Sequence, residues 1–76
     1  MQEYRIYTQS CYNRACGHYE SYGIALFIDG ELSRIIGDIS LNRTKVEKLA
    51  VLFNREDLDP VHFEQAVDDF LTCGDI

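Results

Sequence analysis

The stretch YGIALFIDGELSRIIGDI, residues 22–39, decides the fold. Its first seven residues form a continuous apolar run with the composition of a strand. That run ends in Asp29 and Gly30, a dipeptide suited to the positive φ angles of a tight hairpin turn. Residues 31–39 then return as a second strand. A two-residue turn sets Leu26 against Ser33 and Ile24 against Ile35, with Phe27 and Leu32 on the opposite face. A three-residue turn instead pairs Ile28 with Leu32 and Ile24 with Ile36, and the pattern leaves both registers open.

Upstream, EYRIYTQSCY (residues 3–12) has the Tyr, Ile and Thr density of a further strand, with Tyr4, Ile6 and Thr8 on one face and Arg5, Tyr7 and Gln9 on the other. Between the two, NRACGH (residues 13–18) reads as a loop, because Asn13 and Gly17 favour turning and nothing repeats with a period of two.

Downstream the period changes. Val46, Leu49, Ala50 and Phe53 follow the helical spacing, with Ser40 or Asn42 available to cap the free amides and Asn54 to close the helix in a left-handed conformation. After the polar link REDLD, Asp59 and Pro60 open a second helix, since the carboxylate caps open amides and proline at the first position needs no amide partner. Phe63, Ala66, Val67, Phe70 and Leu71 form its stripe, and Gly74 is its stop. The sequence therefore predicts one α+β domain over residues 1–76: a three-stranded antiparallel sheet followed by two helices packed on one face, βββαα.

The segments YGIALFIDG, IIGDIS, VEKLAVLFN and LDPVHFEQAVDDFL resemble a family of short bacterial proteins known only as a domain of unknown function. The resemblance covers about residues 22–71. It is carried most specifically by Leu58, Pro60, His62, Val67, Asp69, Phe70 and Leu71, together with Asp38, Ile39 and Ser40 before the first helix. It implies no activity, cofactor or partner. The segment CYNRACGH (residues 11–18) falls outside the matching part, so a metal or redox role there would be peculiar to this chain.

Seventy-six residues are enough for one small core, at a size where folding buries about 60 to 65% of the unfolded surface. Apolar residues make up 46% and charged residues 26%, values of a chain that folds rather than stays disordered. No apolar run reaches the roughly 18 residues a membrane span needs, and the first residues have neither the basic nor the apolar region of a signal peptide. Three cysteines, an odd number, cannot complete a disulfide framework, which points to a reducing, cytoplasmic setting. A net charge of −6 disfavours direct binding to nucleic acid or anionic membrane.

Candidate chemistry is sparse. Cys11, Cys16 and His18, with Cys73, have the residue types of a zinc site. Their C-x4-C-x-H spacing lacks the two close ligand pairs that structural zinc usually takes, and no C-x-x-C redox pair is present. His62 lies at the start of the second helix without a nucleophile motif, so local packing or capping accounts for it. The scattered glycines form no phosphate-binding loop. Catalytic, metal and cofactor residues are therefore all read as none, and an enzyme, with a cysteine nucleophile aided by His18 or His62, ranks last among the functional readings.

Charge is more informative. Residues 43–55 hold four basic residues against Glu47, a balance of +3, while residues 56–76 hold seven acids and no Lys or Arg, a balance of −7. Glu64, Asp68 and Asp69 form an acidic helix surface suited to a basic protein partner. Tyr7 and Phe27, with either Leu32 or Ile35, fall on the sheet face that the helices leave bare. These two surfaces point to a non-catalytic interaction or regulatory module, able to form a homodimer through the bare face or a strand edge. The alternative is an acidic mimic of nucleic acid that inhibits a nuclease or phage-defence complex.

Overall fold

The computed structural model describes residues 1–73, the side chain of Cys73 excepted. Three strands, β1 (Gln2–Asn13), β2 (Gly17–Ile28) and β3 (Glu31–Ser40), form an antiparallel sheet in the order β1-β2-β3. The helix α1 (Arg43–Arg55), a single 3-10 turn (Pro60–His62) and the helix α2 (Phe63–Cys73) follow. The βββαα order is that expected from the sequence. Gly74, the expected stop of the second helix, lies outside the described residues. No helix among the described residues is long and apolar enough to cross a membrane.

The first hairpin is longer than the sequence pattern predicts. Residues 13–18 are not an open loop: β1 runs to Asn13, β2 begins at Gly17, and only Arg14, Ala15 and Cys16 join them. The Asn13 side chain accepts a hydrogen bond from the Ala15 amide at 2.7 Å, and Gly17 takes φ 76°, a value that suits glycine. Residues near this tip face water on both sides, so they carry no apolar alternation to betray the strand.

The register of the second hairpin combines both sequence alternatives. Asp29 (φ 53°) and Gly30 (φ 83°) make a two-residue turn in which Ile28 opposes Glu31 and Phe27 opposes Leu32. Ser33 then bulges out of β3, so that Leu26 meets Arg34 and Ile24 meets Ile36. A second irregularity follows, where Gly23 alone opposes Gly37, Asp38 and Ile39. It resets the pleat, so Ile36 and Ile39 both join the core although they are three residues apart. Gly23 has no side chain because the Ile36 carbonyl and the Gly37 Cα occupy the space that a Cβ would need.

Helix α1 starts at Asn42, whose side chain accepts from the Lys45 amide at 3.2 Å. Its end differs from the sequence expectation. Asn54 stays helical, and Asp57 takes the left-handed conformation at φ 51°. The Leu58 amide then donates to Phe53 O at 3.0 Å and the Asp57 amide to Asn54 O at 3.2 Å, a Schellman closure that folds Leu58 back onto the core. Asn54 is freed to clamp the sheet edge: its Oδ1 accepts from the Tyr4 amide and its Nδ2 donates to Tyr4 O, each at 2.7 Å.

Asp59 caps the next turn by accepting from the Val61 amide at 3.0 Å, with Pro60 behind it. From there α2 buries Phe63, Val67 and Phe70 against Val46, Leu49, Ala50 and Phe53 of α1 and Tyr4, Ile24, Leu26 and Ile39 of the sheet. Leu71, expected in the stripe, is 51% exposed, because it lies beyond the edge of the buried arc. The Tyr4 ring meets Phe53 and Phe63 edge-on at 5.3 and 5.1 Å, and its hydroxyl donates to Leu58 O at 2.8 Å.

Replacing Asn54 with Ala removes both bonds to Tyr4 and should lower the unfolding free energy by about 1 to 3 kcal/mol in urea titration. The Tyr4 hydroxyl is held above its usual 10.0, first by burial and then by the Asp59 and Asp57 carboxylates. The folded chain thus keeps a proton that the unfolded chain has already lost, and stability must fall as pH rises past about 10. Tyr4→Phe should remove that component from the alkaline unfolding curve.

Candidate interaction surface

Alternation along β1 and β2 puts Tyr4, Ile6, Ile24 and Leu26 under the helices and leaves the odd-numbered residues of both strands on the far side. No layer covers this second face among the described residues. Its centre is nonetheless sealed by its own side chains. The row Ser21, Gly23 and Ala25 is buried, and Ser21 is fully enclosed. Tyr7 and Gln9 reach from β1 across that row toward β3: Gln9 Oε1 lies 2.5 Å, and the Tyr7 ring 3.9 Å, from where a Cβ on Gly37 would sit. Asp38, turned by its positive φ of 54°, accepts a 2.6 Å hydrogen bond from the Ser21 hydroxyl. The polar group at the centre of this face is thereby satisfied.

Toward the Asp29 turn the face becomes open and apolar. Phe27 is half-buried, with the Arg5 guanidinium 4.8 Å above its ring. Its cross-strand neighbour Leu32 is 54% exposed, and Ile35, paired to Ala25, is 39% exposed. The Ser33 bulge brings Leu32 and Ile35 onto one face, where regular alternation would have separated them. Tyr7 and Phe27, predicted as contact residues, do share this face; Tyr7 is mainly a cover for the glycine row.

The acidic residues are less concentrated than their sequence density implies. Glu64 is paired with Arg34 of β3, Asp59 caps the 3-10 turn, and the Asp57 carboxylate accepts from Gln2 Nε2 at 3.3 Å. Asp68 and Asp69 remain as the exposed pair on α2. Thr44, Glu47, Lys48, Val51, Leu52 and Arg55 line a shallow groove along α1.

The segment CYNRACGH forms the hairpin tip. Cys11 is half-buried and opposes Tyr19, Cys16 is exposed in the turn, and the exposed His18 ring lies tilted against Tyr12, 5.1 Å between centroids. The neighbouring Cys11, and after it burial, hold the Tyr19 hydroxyl above its usual range. Two strand positions separate Cys11 from the tip pair Asn13 and Gly17, about 7 Å along the ribbon. A bond from Cys11 to Cys16 would therefore require the ladder to open. Among the described residues no three His, Cys, Asp or Glu side chains are grouped to hold a metal ion, and the side chain of Cys73 lies outside them. His62 is exposed in the 3-10 turn, its amide donating to Asp59 O at 2.8 Å.

The chain belongs to the family of unknown function DUF6514, which it matches over residues 1–73. The match is wider than residues 22–71 and takes in CYNRACGH, so the hairpin tip is part of the family's domain rather than an addition to it. No curated protein and no solved structure matches the chain.

Exposure orders the thiols. Cys16 should be alkylated at the rate of a free thiol, and Cys11 several-fold more slowly; mass spectrometry of timed iodoacetamide digests reads both. A Cys11 that outpaces Cys16 would show a thiolate activated by its surroundings.

Proposed function

We propose that this member of the family is a non-catalytic interaction module of the cytosol, which docks a protein partner through the open end of its sheet. The observation that carries the reading is the grouping of Phe27, Leu32 and Ile35 on one uncovered face, in a chain whose other large apolar side chains mostly pack into a single core. Arg5 and Glu3, joined at 2.8 Å on the same face, supply the polar rim that protein interfaces commonly have. The free thiols of Cys11 and Cys16 fit a reducing compartment. The grooves among the described residues are open and shallow, and none gathers a nucleophile with a base and an orienting group.

A basic partner at Asp68 and Asp69 is the second surface consistent with the charge layout. The mimic of nucleic acid gains less support, because a phosphate-like row needs adjacent unpaired carboxylates and Glu64, Asp59 and Asp57 already have partners in the fold.

The test is capture with the tagged chain, comparing wild type with two double variants. Leu32→Glu with Ile35→Glu should cut recovery of the specific partner at least about tenfold while leaving thermal stability nearly unchanged, since both residues are surface positions. Asp68→Lys with Asp69→Lys should leave recovery intact. The reverse pattern would move the contact to α2 and overturn the reading.

A further inference from the structure

The two edges of the sheet are unlike. β3 is interrupted twice, at Ser33 and again at residues 37–39, and such bulges prevent another strand from pairing in register. β1 pairs with β2 at all twelve positions without a break. Residues 6–13, IYTQSCYN, contain no charge and no proline, the residues that usually guard an exposed edge.

Which backbone groups point outward is fixed by Asn54. It bonds both the amide and the carbonyl of Tyr4 from outside the sheet, so the even-numbered residues of β1 direct their backbone away from β2. Ile6, Thr8, Ser10 and Tyr12 therefore offer outward amides and carbonyls, and among the described residues none of these groups bonds outside the β1 and β2 ladder. The Asn54 clamp closes this row at Tyr4, and the hairpin turn closes it after Asn13.

We propose that β1 pairs antiparallel with β1 of a second copy about a two-fold axis at Gln9, joining two three-stranded sheets into one of six strands. The register follows from the limits of the open row. Outward residues must face outward residues, and the row from 6 to 12 has its midpoint at 9. Ile6 then opposes Tyr12 of the second copy, and Thr8 opposes Ser10, a hydroxyl pair common across strands. Gln9 lies beside its own symmetry mate.

An independent feature supports this register. A groove of about 470 Å³ flanks β1 beside α1, with Tyr4, Ile6, Ala50 and Val51 as its apolar lining and Glu3, Arg5, Glu47 and Asn54 as its polar lining. Tyr12 lies on the same side of the strand as Ile6, and its ring is 67% exposed in one copy. Pairing at Gln9 brings each Tyr12 to the groove beside the other copy's Ile6. The interface is thus self-complementary in backbone and in apolar contact, and the paired residues 6–12 bring no charge to it.

Sedimentation of the full chain at 5 to about 200 μM should give a dimer mass that Thr8→Pro reduces to a monomer, weakening association by about tenfold or more. Proline fits there because the Thr8 amide is not used by β2. Should that variant fold poorly, Gln9→Cys in a chain with Cys11, Cys16 and Cys73 changed to Ser provides the readout. Across a non-hydrogen-bonded pair the two Cα atoms approach to about 4.5 Å, so mild oxidation should yield a covalent dimer. Arg5→Cys in the same background should not link. A monomer throughout the concentration range, or a dimer that forms no Gln9→Cys bond, overturns the proposal. Leu32→Glu with Ile35→Glu should leave the dimer intact, so this result is independent of the docking surface on the sheet face.

Discussion

Tyr4 is the point at which the two layers become one molecule. Its ring lies edge-on to Phe53 of α1 and Phe63 of α2, its hydroxyl bonds the link between those helices, and its peptide groups are held by Asn54. Leu58 O, the acceptor in that link, also takes a hydrogen bond from Gln2 Nε2 at 2.5 Å. An aromatic pair contributes about 0.5 to 1.5 kcal/mol beyond area burial, and each hydrogen bond about as much. No single contact is large. Their convergence on one residue couples a strand at the sheet edge to both helices, and this lets so small a chain fold with one core.

The sequence made the element order legible because each element has its own period. The stripe from Val46 to Phe53 and, Leu71 excepted, the stripe opened by Phe63 pack inward as their spacing implies, and Asp29 with Gly30 forms the tight turn that the dipeptide favours. What escaped depends on events without a periodic signature. A bulge such as Ser33 adds a residue without altering composition, so neither simple register could be correct over the whole hairpin. Asn54 is a residue type that often ends helices, and only the approach of β1 shows why its amide is used elsewhere. The left-handed position fell on Asp57, where no glycine marked it.

The candidate surface was legible in part. Tyr7 and Phe27 could be assigned to one face from alternation alone, whereas the company of Leu32 and Ile35 required the bulge. Charge counts were a poorer guide. Seven acids in twenty-one residues read as an outward acidic face, yet some of them are occupied by capping, by Gln2 and by Arg34. Exposed ion pairs of this kind contribute little stability, and their main effect here is to dilute the surface field.

The irregular course of β3 also governs how far the sheet can grow. A strand ladder extends only from an edge whose backbone groups keep a constant spacing, and β3 loses that spacing at Ser33 and again beyond Ile36. In the proposed pairing of two copies, addition from the side of β1 would therefore end when the two have met, since each would present an unreceptive rim outward. The same glycine-dependent kink that fills the core with Ile39 thus works against continued strand addition into an open filament.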